Sequence, residues 1–331
     1  MKYGLFTYKT SRFNKINIGD YIQSIAARQF LPQVDVLIER DELNLYKGDP
    51  LKIIMNGWFT HRPKNWPPSN SIVPLFVSFH LNKTVAEQML NNKAIVSYFI
   101  AHQPIGCRDY DSMKRMKEVG IDAFYSGCLT TTLNYDGRLF ANPPEKSDKI
   151  LLVDVLFKDD AVLRAKRNKL LFVKDVLTGK FKKSSPVQEY LNTLGAEDNT
   201  HQIEHLTCYY DAKTSESQRF AHAENILRKL AGAKLVITSR IHIALPCLAL
   251  GTPVLFAFGG KLSNLQEFRR LDGVINHMNV LVDEEFDDTA PHLKGINFYR
   301  INEIDLDRPP KNPETHLKIR ESLVERCNMF I

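Results

Sequence analysis

Val236-Ile237-Thr238-Ser239-Arg240-Ile241-His242-Ile243-Ala244-Leu245-Pro246, running on through Leu250-Gly251-Thr252-Pro253 to Phe258, decides how this chain is read. An apolar run of strand length ends at Thr238, and Ser239 is expected to cap the helix that follows. Arg240 and His242 then fall in the first helical turn, and a second apolar run begins after Gly251. A charged arginine inside so apolar a unit costs free energy unless an anion meets it. A histidine beside it can donate to phosphate or move a proton near neutral pH. The plain alternative is a core histidine satisfied by backbone carbonyls, with Arg240 in a structural ion pair; the pairing of the two residues favours a site.

Outward from that stretch, short apolar runs alternate with helical patterns from end to end, which predicts an α/β fold with parallel sheets flanked by helices. In the first half we read strands at Tyr3–Thr7, Val34–Ile38, Lys52–Met55, Ile72–Ser78 and Ala94–Ile100. Helices are read at Gly19–Phe30, Lys83–Asn91 and Asp109–Val119. The polar, proline-bearing segment Asn142–Asp148 reads as a linker. The second half repeats the alternation, with strands at Lys149–Val155, Gln202–Leu206, Lys234–Thr238, Pro253–Phe258 and Asn279–Val282. Its helices are Ala161–Val176, Val187–Leu194, Glu216–Leu230, Ile241–Leu250 and Asn264–Leu271. We therefore expect two Rossmann-like domains, 1–145 and 146–312, with a final helix within 313–331 packing back on the first. Open α/β sheets bind ligands beyond the carboxyl ends of their strands, so the cleft between the two is the expected site.

Composition narrows the function. A chain of 331 residues, 44% hydrophobic and 25% charged, can bury two sizeable cores. The net charge of +6 is spread thinly and lacks the dense basic stripe of a nucleic-acid binder, whereas an anionic small molecule or acidic glycan suits it. Five scattered cysteines form no CxxC pair, which argues against a zinc site or disulfide framework and for a reducing compartment. Charge interrupts the N-terminus before a signal peptide could form, and His242, Pro246, Gly251 and Pro253 break the most apolar stretch, Ile241 to Phe258. A cytoplasmic protein is expected. No hydrolase elbow, P-loop or metal-ligand cluster is visible, and neither cofactor nor metal is expected.

Other residues invite a chemical reading. Asn17-Ile18-Gly19-Asp20 opens the first helix; Asp20 reads as a helix cap or as a carboxylate at the cleft. Arg108, in Gly106-Cys107-Arg108-Asp109, stands where an apolar segment turns into a helix, so it can hold a carboxylate or phosphate bidentately. The alternative has Asp109 capping the helix and Arg108 in a surface ion pair. Gly259-Gly260-Lys261 could cradle phosphate, though glycine pairs also make plain turns. His80 falls at a strand's carboxyl end, as a cleft residue or an ordinary loop histidine. Lys174, Lys180, Lys182 and Lys183 read as a solvated face, with an acidic glycan or membrane surface as the alternative partner.

Taken in order, three features resemble the polysaccharide pyruvyl transferase family. They are Asn17–Asp20; Gly106-x-Arg108-Asp109 with Ser126-Gly127-Cys128-Leu129-Thr130; and Ser239-Arg240-Ile241-His242 with Gly251-Thr252-Pro253. That family is similar in architecture to GT-B glycosyltransferases, and its members move pyruvate from phosphoenolpyruvate onto two hydroxyls of one sugar. The resemblance implies that Arg108, Arg240 and His242 bind phosphoenolpyruvate, with Ser239, Ile241 and Lys261 beside them. Protonating the donor's methylene carbon needs a general acid, for which His242 is expected, and the hydroxyls need a base, for which Asp20 or His80 could serve. The partners implied are phosphoenolpyruvate and a sugar or glycan acceptor, which could be lipid-linked at a membrane surface. Two arginines suit the donor's carboxylate and phosphate. Two competing readings of the scaffold are a glycosyltransferase using a nucleotide sugar and a non-catalytic glycan binder; the Arg240–His242 pair argues against the second.

Overall fold

The computed structural model describes residues 1–9, 14–59, 62–155, 201–258, 265–284 and 286–331. The expected helices Ala161–Val176 and Val187–Leu194, the lysine run and Gly259–Lys261 lie outside these residues.

Two six-stranded parallel sheets organise the molecule. In the first, β1 (Lys2–Thr7), β3 (Val36–Glu39), β4 (Leu51–Trp58), β5 (Ile72–His80), β6 (Ile105–Cys107) and β7 (Ala123–Tyr125) take the order β3-β1-β4-β5-β6-β7. In the second, β8 (Lys149–Val153), β9 (Gln202–Leu206), β11 (Leu235–Thr238), β12 (Val254–Ala257), β13 (Asn279–Val282) and β14 (Asn297–Arg300) take the order β14-β13-β12-β11-β8-β9. Strands buried on both faces need apolar residues at every position, which is why they read as unbroken hydrophobic runs. In β8, Ile150 and Leu152 face one core cluster while Leu151 and Val153 face the other.

Helices follow most strands. Among the described residues they are α1 (Ile18–Arg28), α2 (Lys83–Leu90), α3 (Lys93–Ala101), α4 (Tyr110–Glu118), α5 (Glu216–Gly232), α6 (Ile241–Leu250), α7 (Leu265–Arg269) and α8 (Leu317–Phe330). Among the described residues no helix is long and apolar enough to cross a membrane.

The structure corrects several local expectations. Ala94–Ile100 is helix α3 rather than a strand. Asn92 accepts hydrogen bonds from the Ala94 and Ile95 amides, and Ile95, Tyr98 and Phe99 then share one buried face at helical spacing. The true strands there are β6 and β7, each three residues and too short for periodicity to reveal. The N-cap of α1 is Asn17, not Asp20; that of α6 is Arg240, not Ser239, whose Oγ donates to the Ala257 carbonyl.

The two sheets share more than a linker. A short antiparallel ribbon pairs β2 (Lys15–Asn17) with β10 (Tyr209–Asp211), and the Ile18 amide donates to the Cys208 carbonyl at 2.7 Å. Tyr21 of α1 donates to Glu216 of α5 at 2.7 Å, and Arg219 of α5 donates back to Tyr21 at 3.1 Å. One hydrophobic cluster runs from Leu5 and Phe6 through Ile243 and Val280. The last helix lies on the first sheet, with Arg326 over the Phe124 ring at 4.1 Å.

Candidate active site

Parallel strands leave their carbonyl ends on one edge, and the residues just beyond those edges build the site. Arg108 follows β6, and its amide donates to the Phe79 carbonyl of β5 at 2.9 Å. Gly106 makes that close approach possible: a Cβ there would lie 2.8 Å from the Phe76 carbonyl oxygen and 3.0 Å from the Phe124 ring. Ser126 ties the same edge together, accepting from the Ser78 amide at 2.8 Å and donating to the Cys107 carbonyl at 3.1 Å. The Ser126–Thr130 segment is therefore wiring beneath the site.

Asp109, wholly buried, is the N-cap of α4. Its Oδ1 accepts from the Ser112 amide at 2.9 Å, and its Oδ2 lies 2.6 Å from His80 Nδ1. The Arg108 guanidinium lies 3.5 Å from the same carboxylate and donates to the Arg270 carbonyl at 3.2 Å, while its Nε is buried with no hydrogen-bond partner. Burial pushes the Asp109 carboxyl up, but His80, Arg108 and the Ser112 amide overcome it and hold the carboxyl below its ordinary value. His80 is drawn below its ordinary value by burial and by Arg108, against the opposing Asp109.

From the second sheet come Arg240 and His242. Pro246 lies inside α6 and can offer no amide to the carbonyl four residues back, that of His242, where the backbone leaves helical geometry (φ −84°, ψ 20°). Gly19 at the start of α1 packs directly on His242; a Cβ there would sit 3.2 Å from the His242 Cβ. Burial first, and then the charges of Arg108, Arg270, His80 and Arg240, push His242 well below its ordinary value, so the imidazole is neutral at pH 7. Its Nε2 is shielded from solvent with no hydrogen-bond partner among the described residues. Charged groups of both sheets thus act on one imidazole.

Arg240 is tethered on its far side. Its Nε donates to Asp154 at 3.1 Å, and its guanidinium lies over the Tyr209 ring at 4.7 Å. Asp154, at the end of β8 with φ 43°, also accepts from the Cys208 amide at 2.9 Å. Asp20 lies in a neighbouring group: Gln23 donates to it at 3.2 Å, burial raises its carboxyl, and Arg40 and Arg240 oppose that rise. Arg40 and Asp41 form a buried pair at 3.0 Å beside it. Ile241 packs in the core, and Lys261 lies outside the described residues.

Sequence reasoning missed Arg270, Asp154, Arg40 and the joining of His80 to Asp109. Asp154 alone carried a signal, as a carboxylate at the end of an apolar strand. Arg270 sits in a turn after α7 among other charges, with nothing local to distinguish it.

Two parallel sheets whose carboxyl edges carry these arginines, histidines and carboxylates define an α/β protein with its candidate site at those edges. The chain belongs to the polysaccharide pyruvyl transferase family, whose model matches residues 17–259, well over half its length. That membership gives the coarse role, a transferase acting on polysaccharide. No curated protein matches the sequence. Among solved structures, the chain is similar to a functionally uncharacterised protein of Klebsiella pneumoniae, at 13% identity over 89% of this chain and 92% of that one, with a TM-score of 0.44. It is also similar to the heptosyltransferase WaaC of E. coli with ADP, at 12% identity over 99% of each chain, with a TM-score of 0.26. Likenesses this distant add nothing about substrate.

Proposed function

We propose that the protein moves pyruvate from phosphoenolpyruvate onto two hydroxyls of a sugar in a polysaccharide or its precursor, closing a ketal. The observation that supports this most is His242, which packs against Gly19 of the first sheet's α1 and keeps a buried Nε2 without a hydrogen-bond partner among the described residues, with the charges of Arg108, Arg270 and Arg240 acting on its ring. A small anion with a carboxylate and a phosphate would suit arginines in this setting and give that nitrogen a hydrogen-bond partner. Arg108 and Arg240 hold the donor in this reading, with Ser239, Ile241 and Lys261 lining its site.

The chemistry follows from the donor's charge. Bound beside His242, it offsets the cations that keep the ring neutral, so the imidazole takes up a proton and can deliver it to the donor's methylene carbon. The neighbouring carbon becomes oxocarbenium-like and one sugar hydroxyl attacks it. A second hydroxyl then displaces phosphate. Of the two hydroxyl protons released, one is balanced by the new methyl group and one leaves with phosphate. Asp20 and His80 are the bases within reach of this cleft.

The test is phosphate release from phosphoenolpyruvate against a panel of sugar acceptors, by wild type and by Arg240→Ala and His242→Ala. Both variants should fold and lose transfer. Retained transfer in well-folded variants refutes the site, and wild-type release from a nucleotide sugar alone refutes the donor.

A further inference from the structure

His80 and Asp109 form a unit at the carboxyl edge of the first sheet: a buried carboxylate bonded to an imidazole that is itself one of the two candidate bases. We propose that Asp109 is the positioning residue that presents His80 Nε2 as the base for the acceptor hydroxyl. This rests on the pyruvyl-transfer reading and deepens it.

The argument is one of donors and acceptors. Asp109 is ionised, because His80, Arg108 and the Ser112 amide all favour its charged form over the effect of burial. An ionised carboxylate only accepts. At 2.6 Å from Oδ2, His80 Nδ1 must therefore carry the hydrogen. Burial, Arg108 and Arg270 keep the ring neutral against Asp109, so Nε2 holds a lone pair. Ser112 reinforces the arrangement: its Oγ accepts from the Leu81 amide at 2.9 Å and lies 3.4 Å from Nδ1, on the Asp109 side of the ring.

His242 differs in one respect. The charges acting on it are Arg108, Arg270, His80 and Arg240, all cationic or imidazole. Nothing there dictates a tautomer, and its protonation waits on the donor's negative charge. The two imidazoles are thus set for opposite tasks, His80 to accept and His242 to deliver. As the acceptor oxygen bonds to the donor's central carbon, its hydroxyl proton passes to His80 Nε2. Asp20, the other candidate base, accepts from Gln23 and is acted on by Arg40, Asp41, Asn17 and Arg240, and no imidazole is bonded to it among the described residues.

Asp109→Asn isolates the claim. Asparagine caps helices as well as aspartate, so Oδ1 can still accept from the Ser112 amide while the amide nitrogen turns toward His80. An N–H facing Nδ1 forces the hydrogen onto Nε2 and removes the base. We expect kcat to fall by about 10²- to 10⁴-fold while the Kd for phosphoenolpyruvate, read by calorimetry, moves less than about threefold. The acid limb of the residual kcat/KM profile should shift to lower pH, since the lost negative charge had raised the His80 pKa. Nitrogen-15 NMR of histidine-labelled protein without substrate should find His80 protonated at Nδ1 in wild type and at Nε2 in the variant. If Asp109→Asn does not fold, His80→Gln should show the same loss of kcat with donor affinity kept.

A wild-type His80 protonated at Nε2, or an Asp109→Asn kcat within about threefold of wild type, overturns the positioning role. A wild type inert toward phosphoenolpyruvate with every acceptor overturns the donor reading and the base assignment with it; the tautomer measurement needs no substrate and tells the two failures apart.

Discussion

His277 makes the fold's acid sensitivity calculable. Its Nδ1 lies 2.8 Å from Thr315 Oγ1 and its Nε2 lies 3.3 Å from the Tyr125 hydroxyl, so one ring joins the end of the first sheet, the second sheet and the approach to α8. Burial, helped by the charge of His316, pushes its pKa down to about 4. The sign follows from linkage: between that value and an unfolded value of about 6.5, the unfolded chain binds the extra proton. Stability supplied by the neutral ring is therefore whole above about pH 6.5 and is lost as pH falls toward about 4. The full loss is about 3 kcal/mol, and the part lost between about pH 7 and about pH 5 is about 2 kcal/mol. His277→Gln removes the titration, so urea-unfolding free energies of wild type and variant should converge by about 2 kcal/mol over that interval, whatever their offset at neutral pH. The depressed histidines His80, His222 and His242 remain in both proteins and cancel from the comparison, while His316, which acts on His277, is read with it as one unit. Parallel pH profiles, within about 0.5 kcal/mol, would refute the argument and place the His277 ring in water.

Two further outcomes bear on the donor site. Arg108→Lys should weaken phosphoenolpyruvate binding about tenfold or more, because an ammonium cannot reproduce the planar guanidinium fork; unchanged affinity by calorimetry removes Arg108 as a ligand. Donor binding should also take up protons near neutral pH, since its negative charge favours the protonated form of His242; identical binding enthalpies in buffers of different ionisation enthalpy would contradict this.

Much of the architecture is legible in the chain. Parallel strands covered on both faces must be apolar throughout, so β8, β11, β12 and β13 announce themselves as runs, and the alternation with helices implies two such sheets. Arg240 and His242 are conspicuous because charge within an apolar strand–helix unit needs a reason. Where local signals compete, the reading fails: Ala94–Ile100 is apolar enough for a strand, and only the Asn92 cap and the burial of one face make it a helix.

What the tertiary structure alone decides is which charges meet. Asp109 pairs with a histidine 29 residues away because β6 lies beside β5, and Arg108 meets the Arg270 carbonyl 162 residues on because the two sheets face each other. Arg240 finds Asp154 because β11 lies beside β8. Periodicity records which face of an element is buried, and it holds no information about the order in which strands line up. The residue types of this site belong to the sequence; their pairing, and hence the protonation state of each imidazole, belongs to the sheet order.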